Sequence, residues 1–350
     1  MRTSQILAAI CVTAATATAF GQPDLSGTYN IATLTPLQRP GHLADKPNLT
    51  QAEADEIAAY WANNLAKDSQ KSDPNREAPP EGGVEIYVPE FSGAAGGVGG
   101  YNAFYVDIGE RNFMLDGAYR TSIITQPANG RLPNLSAQGM RAAAAQAANR
   151  HENTGTAWWI DRETGPYDNP ENRPLAERCL LGFGSTAGPP ALPVMYNNLK
   201  RIVQTEDTVI IVNEMNHDAR VVRMNAEHSP AGVRSWMGDS VGHWEDDTLV
   251  IDTINFRDQP GLFMASGDLR VVERISRIDE NTLRYSFTVN DPNWSQPWSG
   301  EYPWPATDEK VYEYACHEGN YALGGILRGA RLLEQEALQT SGADDSGPAE

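Results

Sequence analysis

RIVQTEDTVIIVNEMNHDARVVRMN (201–225), HWEDDTLVIDTINF (243–256) and VVERISRIDENTLRYSFTVN (271–290) decide the fold. Three times an acidic or amide residue and a threonine lead into an apolar run. These are Asp207-Thr208 before VIIVNEM, Asp247-Thr248 before LVIDTINF and Asn281-Thr282 before LRYSFTV. Asp and Asn bond their own backbone and favour turns, while Thr fits the strand that follows. HWE-DD-TLVIDT and ISRI-DEN-TLRYSF therefore read as hairpins. The expected fold is mainly β: an antiparallel meander that closes, or nearly closes, into a β-barrel, with peripheral helices and long loops.

Outside this region the chain is more irregular. Asp24-Leu25-Ser26-Gly27-Thr28-Tyr29 opens like a first barrel strand. Thr50 and Glu53 have capping-box spacing, and Ile57, Trp61 and Leu65 follow at helical spacing, so 51–66 is an amphipathic helix whose stripe packs inward. VEIYVPEF, YNAFYVDI and RTSIITQ have strand composition, and Ser136 caps an Ala-rich helix ending near Asn149. Residues 67–83 and 92–100 read as loops. CLLGFGSTAGPPALPVMYNN (179–198) is a Gly/Pro loop rich in apolar side chains, of the kind that covers a core end or a pocket mouth. NWSQPWSGEYPWP (293–305) reads as an aromatic, proline-rich loop, and ALGGILRGARLLEQEAL (322–338) as a helix.

Arg2 precedes a short apolar run, ILAAICVTAATATA, and Ala17-Thr18-Ala19 fits an A-x-A cleavage site, so 1–21 reads as a signal peptide. Residues 22–338 then form a single domain, and 339–350 an acidic disordered tail. Ile10 is a poor neighbour for lipidation at Cys11, so the expected location is periplasmic or secreted, with no stable membrane insertion. Losing Arg2 moves the formal charge from −19 to about −20, which argues against nucleic acid as a partner. Cys179 and Cys316 remain in the mature chain, and two cysteines in an oxidising compartment pair.

A resemblance is carried by YNAFYVD, RTSIITQPANGRLP, RCLLGFGSTAGPP, MYNN, NEMNHDARVV, WMGDSVGHWEDDTLVIDTINF, VVERISRID and YEYACHEGNY. Together, from about Tyr101 to Arg331, they resemble a family of exported Gram-negative bacterial proteins of unknown function. The resemblance implies a lipocalin-like (calycin-like) barrel in the C-terminal half. It supplies no catalytic residues.

Strand alternation sorts the charged residues. Glu273 is in phase with Leu269, Val271 and Ile275, Glu214 with Ile210 and Val212, and Asp252 with Val250, Ile254 and Phe256. Arg220 and Arg274 are the available counter-charges. Either a polar pocket or a buried ion-pair network across the barrel accounts for such a set. Three histidines sit beside carboxylates: His217 with Asp218, His243 with Glu245 and His317 with Glu318. Imidazole near a carboxylate suits proton transfer near neutral pH, although a hydrogen-bonded structural role is the competing reading for each.

No metal is expected, since these histidines lack ligand spacing, and no cofactor, since nucleotide-binding glycine motifs are absent. Trp236, Trp298 and their aromatic neighbours could stack on a ligand ring or fill the barrel end. Two functions follow. One is acid–base chemistry (lyase, isomerase or hydrolase) on a small apolar or phenolic molecule, with His217 as acid or base, Arg220 stabilising charge and Glu273 or Asp252 sharing the proton. In that reading Glu214, His243, Trp236, Trp298, Arg274 and His317 contact the ligand. The other is a non-catalytic carrier of a hydrophobic ligand. The oligomeric state is left open.

Overall fold

The computed structural model describes residues 21–68, 75, 106–148, 151, 154–186, 188–258 and 260–344. The expected signal sequence up to Phe20, the strand read at 84–91, the first residues of YNAFYVDI and the loop at 92–100 lie outside these residues.

The fold is mainly β. Strands β1 (Gly27–Asn30), β5 (Ile124–Gln126), β6 (Leu199–Gln204), β7 (Thr208–Asn213), β8 (Ala219–Met224), β9 (Asp239–Glu245), β10 (Thr248–Ile254), β11 (Arg270–Asp279), β12 (Thr282–Asn290) and β13 (Trp298–Pro305) form one sheet. Its order is β1-β6-β7-β8-β9-β10-β11-β12-β13-β5. A small second sheet has the order β2 (Asn48–Leu49), β4 (Ala118–Arg120), β3 (Met114–Leu115). The main sheet curls into a half-barrel, and β1 meets the chain beyond β13 through a single bridge, Tyr29 to Ala306.

Both hairpins form as their turn chemistry requires. Glu245 pairs with Thr248 across Asp246-Asp247, with Asp246 at φ 50°, and Asp279 pairs with Thr282 across Glu280-Asn281. One pairing departs from the antiparallel meander. β8 and β9 run parallel, because residues 225–238 carry the chain back to the same end before β9 begins.

Residues 293–305 are corrected more sharply. β13 is a strand whose Trp298, Gly300, Tyr302 and Trp304 all face inward. Its prolines at 303 and 305 lie beyond the reach of the short β5, where no neighbour needs their missing N–H. A side chain at Gly300 would meet the Phe287 ring at 2.6 Å, so the glycine makes room for that ring. Trp298, Trp304, Tyr285, Phe287, Val271, Ile275, Ile211 and Ile251 are core, each worth roughly 1.5–3 kcal/mol of burial.

Helix α1 (Gln51–Asp68) starts on the expected capping box: Thr50 N–H donates to Glu53 Oε2 at 2.8 Å and Glu53 N–H to Thr50 Oγ at 3.3 Å. Helix α2 (Ala137–Ala148) is capped by Ser136 Oγ, which accepts from Gly139 N–H at 3.1 Å. After the short α3 (Cys316–Gly319), α4 (Tyr321–Asp344) runs past the boundary read at 338, and it packs through Ala330 on Trp159.

Candidate functional site

Inward-facing positions across the curled sheet, on β8 and on β11 and β12 beyond the intervening β9 and β10, build a buried ionic centre. Arg220 on β8, Glu273 on β11 and Tyr285 on β12 are almost wholly inaccessible. Arg220 grips Glu273 in a two-pronged pair, Nη1 on Oε2 and Nη2 on Oε1, the latter at 2.8 Å. Tyr285 hydroxyl donates to the same Oε1 at 2.6 Å. Burial opposes the Arg220 charge, but the Glu273 carboxylate outweighs it and pushes the guanidinium above its ordinary range. Burial also holds the Tyr285 phenol well above its ordinary value. Arg220 Nε is buried without a hydrogen-bond partner among the described residues.

A strap of irregular chain, described at 182–186 and 188–192, lies across this interior. Ala191 is clamped at both of its backbone groups: its N–H donates to Tyr285 hydroxyl and its carbonyl accepts from Tyr302 hydroxyl, each at 2.8 Å. Gly182 N–H donates to Asp218 Oδ2 at 3.0 Å, and Lys200 Nζ donates to Thr186 carbonyl at 2.6 Å. The apolar loop at 179–198 thus fills the half-barrel, and interior polar side chains satisfy backbone groups that no strand pairs. Disulfide Cys179–Cys316, with Cα atoms 5.8 Å apart, ties the start of this loop to α3.

Lys200 was not among the residues singled out from sequence. It lies on β6 in phase with Ile202, and it is 1% exposed. Burial pulls its amine down to about 7, with Asp218 and Glu214 opposing the fall. Burial raises Asp218 and Glu214 in turn, and Asp107 and Glu309 add to the rise at Glu214. Tyr285 and Tyr302 were missed as polar groups for the same reason: each sits in phase with core residues, and alternation alone carried the signal.

Of the expected set, the structure brings together Arg220 and Glu273. Asp252 faces outward, because Leu249, Ile251 and Thr253 take the inner face of β10. It pairs there with Arg270 at 2.8 Å. Glu214 is not inward in phase with Ile210 and Val212. The inner residues of β7 are Val209, Ile211 and Asn213, and Glu214 sits half-buried where the strand gives way to a short turn.

His217 is exposed on that turn at φ 44°. His243 is exposed beside Glu245, at 3.2 Å, and Arg274 reaches the same carboxylate at 2.8 Å on the outer face. His317 is exposed on α3. Trp236 is half-buried with the Arg257 guanidinium 4.7 Å from its ring centre. Trp298 is core, edge-on to Phe287 and Trp294 at 5.6 and 5.8 Å.

Beside α1 lies an open apolar cleft of about 270 Å³, lined by Leu34, Pro36, Leu37, Trp61, Ile123, Leu192 and Met195 among others. A larger depression of about 440 Å³ lies against Ala58, Trp61, Ala62 and Leu65, so Trp61 borders both. The stripe read as a packing face therefore contributes a cleft wall. The opposite wall is the continuation of the strap, held by Asn198, whose side chain accepts from Val194 N–H at 2.9 Å and donates to Val194 carbonyl at 2.8 Å.

Among the described residues no group of three or more His, Cys, Asp or Glu is arranged to hold a metal, and no helix is long and apolar enough to cross a membrane. No family model, curated protein or solved structure matches the chain.

Proposed function

We propose that this protein is an exported, lipocalin-like binding protein that carries a small hydrophobic molecule in the cleft beside Trp61. The observation that supports the reading is the apolar cleft itself, walled by Leu34, Leu37, Trp61, Leu192 and Met195. Ligand sites are concave and mostly apolar, and this one is walled by α1 and by irregular chain at 33–37 and 192–195. The disulfide fits a protein of the periplasm or medium.

The test is titration with a neutral apolar dye such as N-phenyl-1-naphthylamine. The dye should bind saturably, and Trp61→Ala should weaken binding about tenfold through lost aromatic contact. Non-saturable binding, or binding indifferent to Trp61, would sink the carrier reading.

Acid–base catalysis is the second reading. It is favoured by the buried Lys200 amine held at about 7, a value suited to proton transfer at neutral pH. A panel of small apolar and phenolic substrates, run on the wild type and on Lys200→Met, His217→Ala and Arg220→Met, distinguishes it from a carrier. Turnover lost with ligand affinity retained would establish catalysis.

A further inference from the structure

Lys200, Asn213 and Asp218 form one row across three neighbouring strands. Lys200 on β6 is the cross-strand partner of Asn213 on β7. On its other side Asn213 is bonded to Asp218, the residue before β8: its backbone N–H donates to the Asp218 carbonyl at 2.8 Å, and its side-chain Nδ2 donates to the same oxygen at 3.0 Å. All three are buried, Lys200 in phase with Ile202, Asn213 with Ile211 and Asp218 with Arg220.

The register brings the first two together. Asn213 spends its N–H on the Asp218 side, and Glu214 N–H reaches the Leu199 carbonyl at 3.0 Å. Lys200 and Asn213 are therefore a non-hydrogen-bonded antiparallel pair, in which Cα atoms lie about 4.5 Å apart and side chains are closest.

The chemistry of the row is complementary. Burial holds the Lys200 amine at about 7, so much of it is neutral and nucleophilic at neutral pH. Its Nζ–H donates to the Thr186 carbonyl at 2.6 Å, a bond that uses a hydrogen and leaves the nitrogen lone pair. Burial raises the Asp218 carboxyl, which favours its protonated form. The Asn213 carboxamide stands between this amine and this acid.

We propose that Lys200 and Asn213 join in an intramolecular isopeptide bond, with Asp218 carrying the protons. The Nζ lone pair adds to Asn213 Cγ while the Asp218 acid protonates the amide oxygen. The Asp218 carboxylate then takes a proton from Nζ and passes it to Nδ2. As the tetrahedral centre collapses, the oxygen returns its proton to Asp218, the Cγ–Nδ2 bond breaks and ammonia leaves. Asp218 ends as it began, and no oxidant or reductant is consumed. The product is a neutral amide. The cost of burying the Lys200 charge disappears with it, and β6 and β7 are tied just before the turn at 215–217. While the amine is free it titrates; once bonded it does not.

The intact mass of the purified protein, denatured, reduced and with its N terminus read, tests this. The wild type should be about 17 Da lighter than its sequence, the mass of one ammonia, whereas Lys200→Met, Asn213→Ala and Asp218→Ala should each match their own sequence. Fragment spectra of a tryptic digest should place the link between Lys200 and Asn213. A wild type of full mass would overturn the bond and leave the amine free for acid–base chemistry. A deficit of about 18 Da, one water, would assign the link to a carboxylate and overturn Asn213 as the partner. A deficit of 17 Da surviving in Asp218→Ala would overturn the part given to Asp218. The wild-type mass decides even where a variant fails to fold, and it is independent of the carrier reading.

Discussion

Two charged clusters of similar composition lie on the two faces of one sheet. Inside, Arg220, Glu273 and Tyr285 are wholly buried and hold the strap. Outside, Arg223 and His228 meet Asp239 at 2.8 and 2.9 Å, and Arg270 meets Asp252 at 2.8 Å, all partly in water. The bonds are equally short, yet the energetics differ. Water screens the outer pairs and would replace either partner, so each contributes little. The inner pair has no such alternative, and losing one member leaves a bare charge in the core.

The largest expected effect comes from breaking the inner pair on one side. Glu273→Leu should cost about 3–5 kcal/mol in urea unfolding, because Arg220 is left uncompensated. Adding Arg220→Met should recover most of that loss; a double variant no better than the single would show that the cluster contributes more than charge balance.

Lys200 sharpens the comparison through pH. Its folded-state amine sits near 7 against an ordinary 10.5, so the unfolded chain binds more protons between those values. Stability should therefore rise as pH increases from about 7 to about 10.5, with the burial penalty fully present below 7, on the order of a few kcal/mol. Lys200→Met, like the bond to Asn213, should flatten this slope in denaturation followed from pH 6 to 10, while in the variant the unpaired Thr186 carbonyl lowers stability equally at every pH.

Tyr302→Phe removes one clamp on Ala191 and should cost about 1 kcal/mol in the same assay. Arg270→Ala on the outer face should cost under about 1 kcal/mol, and the difference should vanish in high salt. A larger, salt-insensitive loss there would erase the distinction between the two faces.

Much of the sheet was legible because its signals are local. Asp246-Asp247 and Glu280-Asn281 close their hairpins whatever lies beyond them. Glu273 was placed inward correctly, since Val271 and Ile275 fall on one side and charged residues on the other. The same method misplaced Asp252 and Glu214, where apolar residues occupy both faces of LVI and VIIV and alternation cannot choose. Residues 293–305 were read as a loop because prolines outweighed the two-residue period of Trp298, Gly300, Tyr302 and Trp304, a period visible in the sequence all along.

The sequence by itself determined the β class, the hairpin turns, both helix caps and the pairing of two remaining cysteines, all set by neighbours along the chain or by simple count. Tertiary structure alone decided that β8 and β9 run parallel, that Lys200 is buried beside the Thr186 carbonyl, and that Thr186 and Ala191 are held by interior side chains of the half-barrel. Those outcomes join residues far apart in sequence, and each depends on where an irregular segment finds partners for its backbone after the sheet has curled.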